Sequence, residues 1–309
     1  DYFRCKSYMN LVELSKNEKP DLIIISTPSG DHFKSIKLSL TLGFNTITEK
    51  PMAMTPKQCE ILIKISRKNN LFFNTIFQNR FNPSIEFLKK TVNNKMIGKV
   101  VSANIRLRWC RFQEYYNDEW HGRWLNDGGA INQQGIHHID VLNYINGPIV
   151  EVSAFGGNIM NKLEAEDTMV AILKFKNNSL GTLEITTAAR PEDHEASIDI
   201  VSEKAYIQIG GIALNKITNF KVFNNDKYDE KKIKNKYSES VTSGYGFSHF
   251  RYLNKVYDFL VKKTIVPPIK LRENLETTKI IHSLYTSWEL KRPIALSSNA
   301  VSRKLGIKR

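Results

Sequence analysis

The side chains able to do chemistry in this sequence sit at the ends of apolar runs. Lys50, in the tripeptide EKP at 49–51, follows the strand-like run FNTIT, which would place an ammonium at the carboxyl end of a parallel strand, where open α/β sheets bind ligands. Pro51 restricts Lys50 to extended backbone and is a candidate for a cis bond, and either would fix the direction of the ammonium. GGAINQQGIHHID (128–140) reads as helix. In it Gln133 and His137 are four apart and share a face, so an amide and an imidazole point together while His138 and Asp140 point elsewhere. QNRFNP (78–83) ends another strand and brings Gln78, Asn79 and Arg80 to the same sheet edge. ARPEDHE (189–195) and GYGFSHFRY (244–252) add Arg190, Tyr245 and His249, each able to contact an anion or a sugar. Plain structural readings stand beside these: a surface lysine before a turn, a satisfied interior histidine, Asn82 as a helix cap before Pro83, and a loop or helix start at the two later motifs.

Elements must carry these groups to one place. DLIIIST (21–27) is a near-continuous apolar run closed by the turn signal TPSGD, as a buried parallel strand should be. Phe33, Ile36, Leu38, Leu40 and Leu42 form a loose helical pattern before Gly43, FNTIT is the next strand, Thr55 or Pro56 opens a second helix, and LFFNTIF (71–77) is a third strand. This order predicts a βαβαβ unit with right-handed crossovers. From about residue 98 the pattern changes: VVSANIRLRW, VSAFGGNI, TMVAILKF, GTLEITTAA, ASIDIVS and AYIQIGG read as strands, with Asn177 and Asn178 suited to a hairpin. One helix interrupts them, and its Ile131, Ile136, Ile139, Leu142 and Ile145 predict one buried face. Helices are expected near 246–263 and 273–291, and the tract NNDKYDEKKIKNKY (224–237) is read as a solvated loop. The second unit is therefore a predominantly antiparallel sheet backed by helices.

Bulk properties narrow the field. With 309 residues, 41% hydrophobic and 25% charged, the chain is long enough for two cores, and disordered and collagen-like classes are excluded. No run approaches the roughly 20 apolar residues of a membrane span, so the chain is read as soluble and cytoplasmic. Cys5, Cys59 and Cys110 are too few and too widely spaced for a zinc site, and no metal is expected. The net charge of +14 is compatible with an anionic ligand, but the basic residues are dispersed and no nucleic-acid reader motif is present. The dinucleotide-binding signature G-x-G-x-x-G does not occur in the chain.

Taken in order, TPSGDH, EKPMAMT, FQNRFNP, YYNDEWHGRWLNDGGAINQQGIHHID, EAEDTMVAILKF, TTAARPEDHEASIDIVSEK and IGGIALNKI resemble the Gfo/Idh/MocA oxidoreductases, from about residue 10 to 290. Within that family they are most similar to the branch that oxidises UDP-N-acetylglucosaminuronate at C3 with NAD. The resemblance implies an α/β plus α+β chain: a truncated Rossmann-like sheet over 1–82, then a substrate-binding and oligomerisation domain over 83–309 with a large antiparallel sheet. It implies that Lys50 and His137 lie beside the nicotinamide and the reacting carbinol, one of them taking the hydroxyl proton. By the same resemblance Thr27, Pro28, Ser29, His32, Glu49, Lys50 and Gln78 serve the cofactor, and Asn79, Arg80, Gln133, His137, Arg190, Tyr245 and His249 serve the sugar nucleotide.

Departures from the family pattern matter as well. Gln133 stands where many members have Asp, which removes one carboxylate base, and His121 and Arg123 in WHGRW stand where Arg and Thr are common. Family members carry on the order of 50 more residues at the amino end, including the glycine loop that cradles the pyrophosphate, so the chain is expected to be a fragment of such an enzyme. The product would feed surface polysaccharide (O-antigen) synthesis, and a homo-oligomer, dimer or tetramer, is expected through the open sheet. Another sugar or inositol dehydrogenase of the family, or a nonenzymatic sugar or dinucleotide sensor, are the competing readings.

Overall fold

Three short apolar runs pair in parallel. The computed structural model describes residues 5–223, 229–242, 244, 246–264 and 266–307. In it α1 (Leu11–Asn17) leads to β1 (Ile23–Ile25), and β2 (Thr46–Thr48) lies between β1 and β3 (Phe73–Thr75). Ile25 is opposite Thr48 and Thr48 opposite Thr75, so the segments after all three strands leave the sheet at one carboxyl edge. Local signals set the helices between them. α2 (His32–Thr41) is followed by Gly43 at φ +89°, a left-handed conformation that costs glycine little. α3 (Pro56–Lys68) opens on reciprocal side-chain bonds between Thr55 and Gln58, with proline in the first turn, where its missing N–H is not needed. β2 and β3 are buried throughout, but in β1 Ile24 is 52% exposed. The expected strand buried on both faces is therefore corrected at β1. It is the edge of the sheet among the described residues, and one of its faces is uncovered.

α4 (Pro83–Asn93) passes the chain to an eight-stranded sheet built from β4 (Val100–Arg108), β5 (Ile149–Gly157), β6 (Thr168–Phe175), β7 (Leu180–Thr186), β8 (Glu195–Ser202), β9 (Ala205–Gly210), β10 (Lys216–Val222) and β11 (Ile294–Ala295). The strand order is β10-β9-β8-β4-β7-β6-β5-β11, antiparallel everywhere except between β4 and β7. All six strands read from the sequence are present, and Asn178, at φ +69°, turns the β6–β7 hairpin. Alternation puts Ala103, Ile105 and Leu107 of β4 in the core and Asn104, Arg106 and Arg108 on the other face. Burying each such Ile or Leu stabilises the fold by about 1.5–3 kcal/mol. α5 (Ile136–Asn146) packs on β4, and after α6 (Glu230–Tyr237) and α7 (Ser248–Leu260) comes α8 (Leu271–Leu290), which touches β5 and also α3 and β3. α8 thus joins the two sheets: His282 Nε2 is 2.9 Å from the Met54 carbonyl oxygen. The opposite face of the large sheet is open, with Phe155, Ile172 and Leu180 exposed beside a ladder in which Arg108 pairs with Glu184 and Glu195.

Three further expectations are revised. α5 has no single buried face. Ile136, His138, Asp140, Val141 and Leu142 are all buried, because the helix is enclosed by β4, α4 and α8. The tract 224–237 is not all loop: Asp229 caps α6, and residues 224–228 lie outside the described residues. Asn82 occupies the cap position of α4, but its side chain bonds to the Ala213 carbonyl and the Ser248 hydroxyl and leaves the helix start uncapped.

Candidate active site

The carboxyl edge of the small sheet faces the start of α5. Lys50 is the first residue but one beyond β2, and its peptide bond to Pro51 is cis. Its ammonium donates to the backbone carbonyl of Gln133 at 2.8 Å and to the Gln133 side-chain oxygen. Gln133 lies in a π turn (Ile131–Gly135) that precedes α5, one residue wider per hydrogen-bonded ring than an α turn. Gly128 and Gly129 make the entry possible. Gly128 has φ +75°, and a Cβ on Gly129 would sit 2.1 Å from the Glu166 carbonyl oxygen.

His137 follows one turn later. Its ring meets Phe77 edge-on, with centroids 6.1 Å apart, and its Nδ1 is buried without a hydrogen-bond partner. Burial, then the charge on Lys50, pushes its pKa well below the ordinary histidine value, so the imidazole is neutral at physiological pH. Burial likewise lowers Lys50, against the pull of Asp127 and Glu49. Glu49 closes this side. Burial would raise its pKa, but the His249 imidazole, 3.4 Å away, and Lys50 hold it below the usual carboxylate value. Lys50, Gln133, His137, Glu49 and His249 are thus brought together from three separate stretches of chain.

Around this cluster the expected residues divide. Thr27 and Pro28 are exposed at the end of β1, and Ser29 is buried beneath them. Gln78 and Asn79 are buried at the end of β3, and Gln78 Oε1 and Asn79 Oδ1 have no partner. His32 is placed as a brace at this edge. It is 1% exposed, and its ring nitrogens lie 2.7 and 2.9 Å from the carbonyl oxygens of Pro51 and Thr27, so they fasten two loops together. Arg80 is held by two carboxylates. Its Nε and Nη2 donate to both Asp140 oxygens, at 2.7 and 2.6 Å, and its Nη1 to Glu273. Arg190 is spent on the carbonyls of Ala189 and Arg111 and on Asn161 Oδ1, and it stacks over Phe112. Tyr245 lies outside the described residues.

Asp127 and Tyr115 were not singled out by sequence reasoning, and His121 entered it only as a departure from the family pattern. Asp127 is 1% exposed, and its Oδ2 accepts from the Gly122 N–H at 2.9 Å. Tyr115 accepts from Gln134 Nε2 at 3.3 Å and lies under the Arg111 guanidinium. His121 is clamped between Trp120 and Tyr115 and bonded to Asp118 at 2.5 Å. The signal for Asp127 was an acid placed directly before the glycine pair at the entry of a buried helix. A groove of about 490 Å³ lined by Tyr116, His121, Arg123, Lys162 and Glu164 opens beside this corner. A larger cavity of about 770 Å³, beside Arg80, Tyr144 and Glu273, contains none of the cluster. The described residues hold no group of acids, histidines and cysteines arranged for a metal ion, and no helix among them is long and apolar enough to cross a membrane. A neutral imidazole beside a fixed ammonium can take a proton from a hydroxyl and hold the oxygen that results.

Two family models cover most of this architecture. Residues 1–77 match the oxidoreductase family NAD-binding Rossmann fold, and residues 85–208 match the GFO/IDH/MocA C-terminal domain. Among curated proteins, the chain is 26% identical over 196 residues to 2,7-anhydro-N-acetylneuraminate hydratase of Mediterraneibacter gnavus, covering 62% of this chain and 52% of that one. It is 29% identical over 133 residues to D-glucoside 3-dehydrogenase of Escherichia coli, covering 42% and 36%. The chain spans about half the length of the curated relatives it matches. Among solved structures, the WlbA dehydrogenase of Bordetella pertussis in complex with NADH and UDP-GlcNAcA superposes with a TM-score of 0.86 at 28% identity, covering 93% of this chain and 83% of that one.

Proposed function

This chain belongs to the Gfo/Idh/MocA oxidoreductase family, and from that premise we propose that it serves the NAD-dependent oxidation of the C3 hydroxyl of UDP-N-acetylglucosaminuronate to the 3-keto sugar, in the assembly of a surface polysaccharide. The reading is carried by the Lys50 ammonium, held on Gln133 beside the neutral His137 at the carboxyl edge of the parallel sheet. The substrate follows from the likeness to the WlbA dehydrogenase solved with NADH and UDP-GlcNAcA.

The residues present fit the nicotinamide end of the cofactor. Gln78 Oε1, Asn79 Oδ1 and His137 Nδ1 are buried polar atoms without partners, the first two beyond β3 at the carboxyl edge of the small sheet and the third at the start of α5, and such atoms suit a polar group such as a carboxamide. NAD, when bound, supplies the hydride acceptor. His137, kept neutral by burial and by the cation next to it, takes the hydroxyl proton. Lys50 keeps two donors on Gln133 and turns its third N–H toward the oxygen, stabilising the developing alkoxide. Glu49 balances the charge and is itself anchored by His249. A second copy packing on the open sheet face, where Phe155, Ile172 and Leu180 are exposed, would give the homo-oligomer. A monomer by light scattering would remove that part of the reading.

The test is turnover of UDP-N-acetylglucosaminuronate against myo-inositol and free glucosides, with NADH formation as readout. Lys50→Ala and His137→Ala should each lower turnover by about 10² or more while the far-ultraviolet circular dichroism is kept. Wild-type turnover in both variants, or a preference for the inositol, would overturn the assignment.

A further inference from the structure

The first N–H groups of a helix have no partner within it, and where the π turn leads into α5 they are buried. Three consecutive donors need acceptors there, and two residues from distant parts of the chain supply all of them. The Gly129 N–H donates to the Tyr285 hydroxyl at 3.2 Å, the Ala130 N–H to the Glu166 backbone carbonyl at 2.9 Å, and the Ile131 N–H to Glu166 Oε1, also at 2.9 Å. The Tyr285 hydroxyl in turn donates to Glu166 Oε1 at 3.0 Å, so the two acceptors are bonded to each other. Glu166 stands two residues before β6 and Tyr285 lies within α8, and both are fully buried. Gly129 admits them: a Cβ there would lie 2.1 Å from the Glu166 carbonyl oxygen. The bonds then continue to the reacting corner. The Gln133 N–H donates to the Gly129 carbonyl at 2.9 Å, and the Gln133 carbonyl and side-chain oxygens both accept from the Lys50 ammonium.

We propose that Glu166 and Tyr285 are positioning residues for Lys50: together they cap the π turn from outside the helix and so hold both Gln133 oxygens where the Lys50 ammonium is received. The proposal rests on the reading of Lys50 as the group that stabilises the alkoxide, and it gives neither residue a contact with substrate or cofactor. The width of the turn is what needs holding. A π turn is rare, and reversion to the commoner α register, one residue tighter, would carry Gln133 about 100° round the helix axis and away from Lys50. Three bonds, to Gly129, Ala130 and Ile131, fix which backbone groups stand at the start of the turn and therefore where Gln133 falls. A site residue is only as well placed as the groups that support it. Here the support for an ammonium at the end of β2 comes from α8 and from the approach to β6, through four residues of one turn.

The link can be read without turnover. Tyr285→Phe keeps the ring and deletes only the hydroxyl, which is the acceptor of Gly129 and the donor to Glu166. In the ¹H–¹⁵N spectrum of the chain labelled at lysine Nζ, the Lys50 ammonium, identified by its loss in Lys50→Arg, should be protected from exchange with water, and Tyr285→Phe should speed that exchange about tenfold or more. Glu166→Leu, which removes Oε1, should do the same, whereas Glu166→Gln, which keeps an oxygen in that place, should stay near wild type. Should Glu166→Leu fail to fold, Tyr285→Phe decides alone. Ser287→Ala is the control for a general loosening of α8. The Ser287 hydroxyl accepts from the Ala154 N–H at 3.0 Å and donates to the Arg292 carbonyl at 2.7 Å, on the side of β5, and its loss should leave Lys50 unchanged. Unaltered exchange in Tyr285→Phe, equal acceleration in Ser287→Ala, or a wild-type Lys50 that exchanges as fast as surface lysines overturns the proposal. In turnover, Tyr285→Phe should lower kcat about tenfold with KM within about twofold. Faster Lys50 exchange in a chain whose wild type does not oxidise the sugar nucleotide would sink the proposed function and leave this inference standing. Turnover with Lys50 exchange indifferent to Tyr285 would do the reverse.

Discussion

Arg80→Met tests whether the arginine at the end of β3 is a ligand or a strut. In the structure its guanidinium makes a two-point bond to Asp140, reaches Glu273 and lies 4.6 Å from the Tyr144 ring, and Asp140 is fully buried. Removing the guanidinium leaves the Asp140 carboxylate with the Thr277 hydroxyl at 2.9 Å as its remaining partner. Breaking a buried pair from one side costs about 3–5 kcal/mol, because the other charge stays buried and uncompensated. At about 2–4 °C per kcal/mol this is a fall in Tm of roughly 6–20 °C. Arg80→Met/Asp140→Leu removes both charges, and the double variant should recover most of the loss, since replacing a whole buried pair by apolar groups is close to neutral. Thermal and urea unfolding of the two single variants and the double variant complete the cycle. The reasoning fails if Arg80→Met melts within about a degree of wild type while affinity for the sugar nucleotide drops, for then Arg80 contacts substrate.

Two other outcomes follow from the region where α5 begins. Glu166 is fully buried, accepts from the Ile131 N–H at 2.9 Å and the Tyr285 hydroxyl at 3.0 Å, and is pushed by burial up to about 8. Its folded value exceeds its unfolded one, so the folded chain keeps a proton that the unfolded chain releases. This contribution to stability is full below about pH 4.5 and is lost as pH rises toward about 8, approaching 1.4 kcal/mol per pH unit. Glu166→Gln should flatten that slope in urea midpoints measured at pH 5, 6.5 and 8, and an unchanged slope would show that Glu166 is not the group responsible. Gly129→Ala should cost about 3 kcal/mol, because the new methyl would lie 2.1 Å from the Glu166 carbonyl oxygen, whereas Gly43→Ala, with open space around it but φ +89°, should cost only about 1 kcal/mol. Equal losses would mean that backbone angle and not space controls both sites.

The elements legible in the sequence were those whose signals are local. The Thr55–Pro56 start of α3, Gly43 after α2 and the alternation of β4 through β9 each lie within a few residues. β10 escaped because a register shift between Ile217 and Asn219 puts its buried Ile217 and Phe220 three apart, which breaks the period of two. β11 is two residues long, and α6 buries no residue fully, so its Lys-rich sequence resembles a loop. In the site, Lys50, Gln133 and His137 could be named from their own motifs, yet that Lys50 would reach Gln133, 83 residues away, could not be. Arg80 and His32 show what a motif leaves open. Both stand at the correct edge, but the side chain is turned by partners far off in sequence, Asp140 for one and Pro51 for the other. Position is local information, whereas direction depends on tertiary contacts.

The strand order of the large sheet also governs how the chain must be made. β4 is bonded on its two sides to β7 and β8, both of which come much later in the sequence. A ribosome that has just released β4 must add roughly 80 more residues before β7 is complete, about 4–16 s at ordinary elongation rates. Through that interval Ala103, Ile105 and Leu107 belong to a nascent strand with two open edges, while the β5–β6–β7 meander can begin to pair among its own neighbours. The strand on which α5 finally rests is thus synthesised early and paired late, and the corner between α5 and the small sheet is backed by a complete strand only after β7 and β8 have been made.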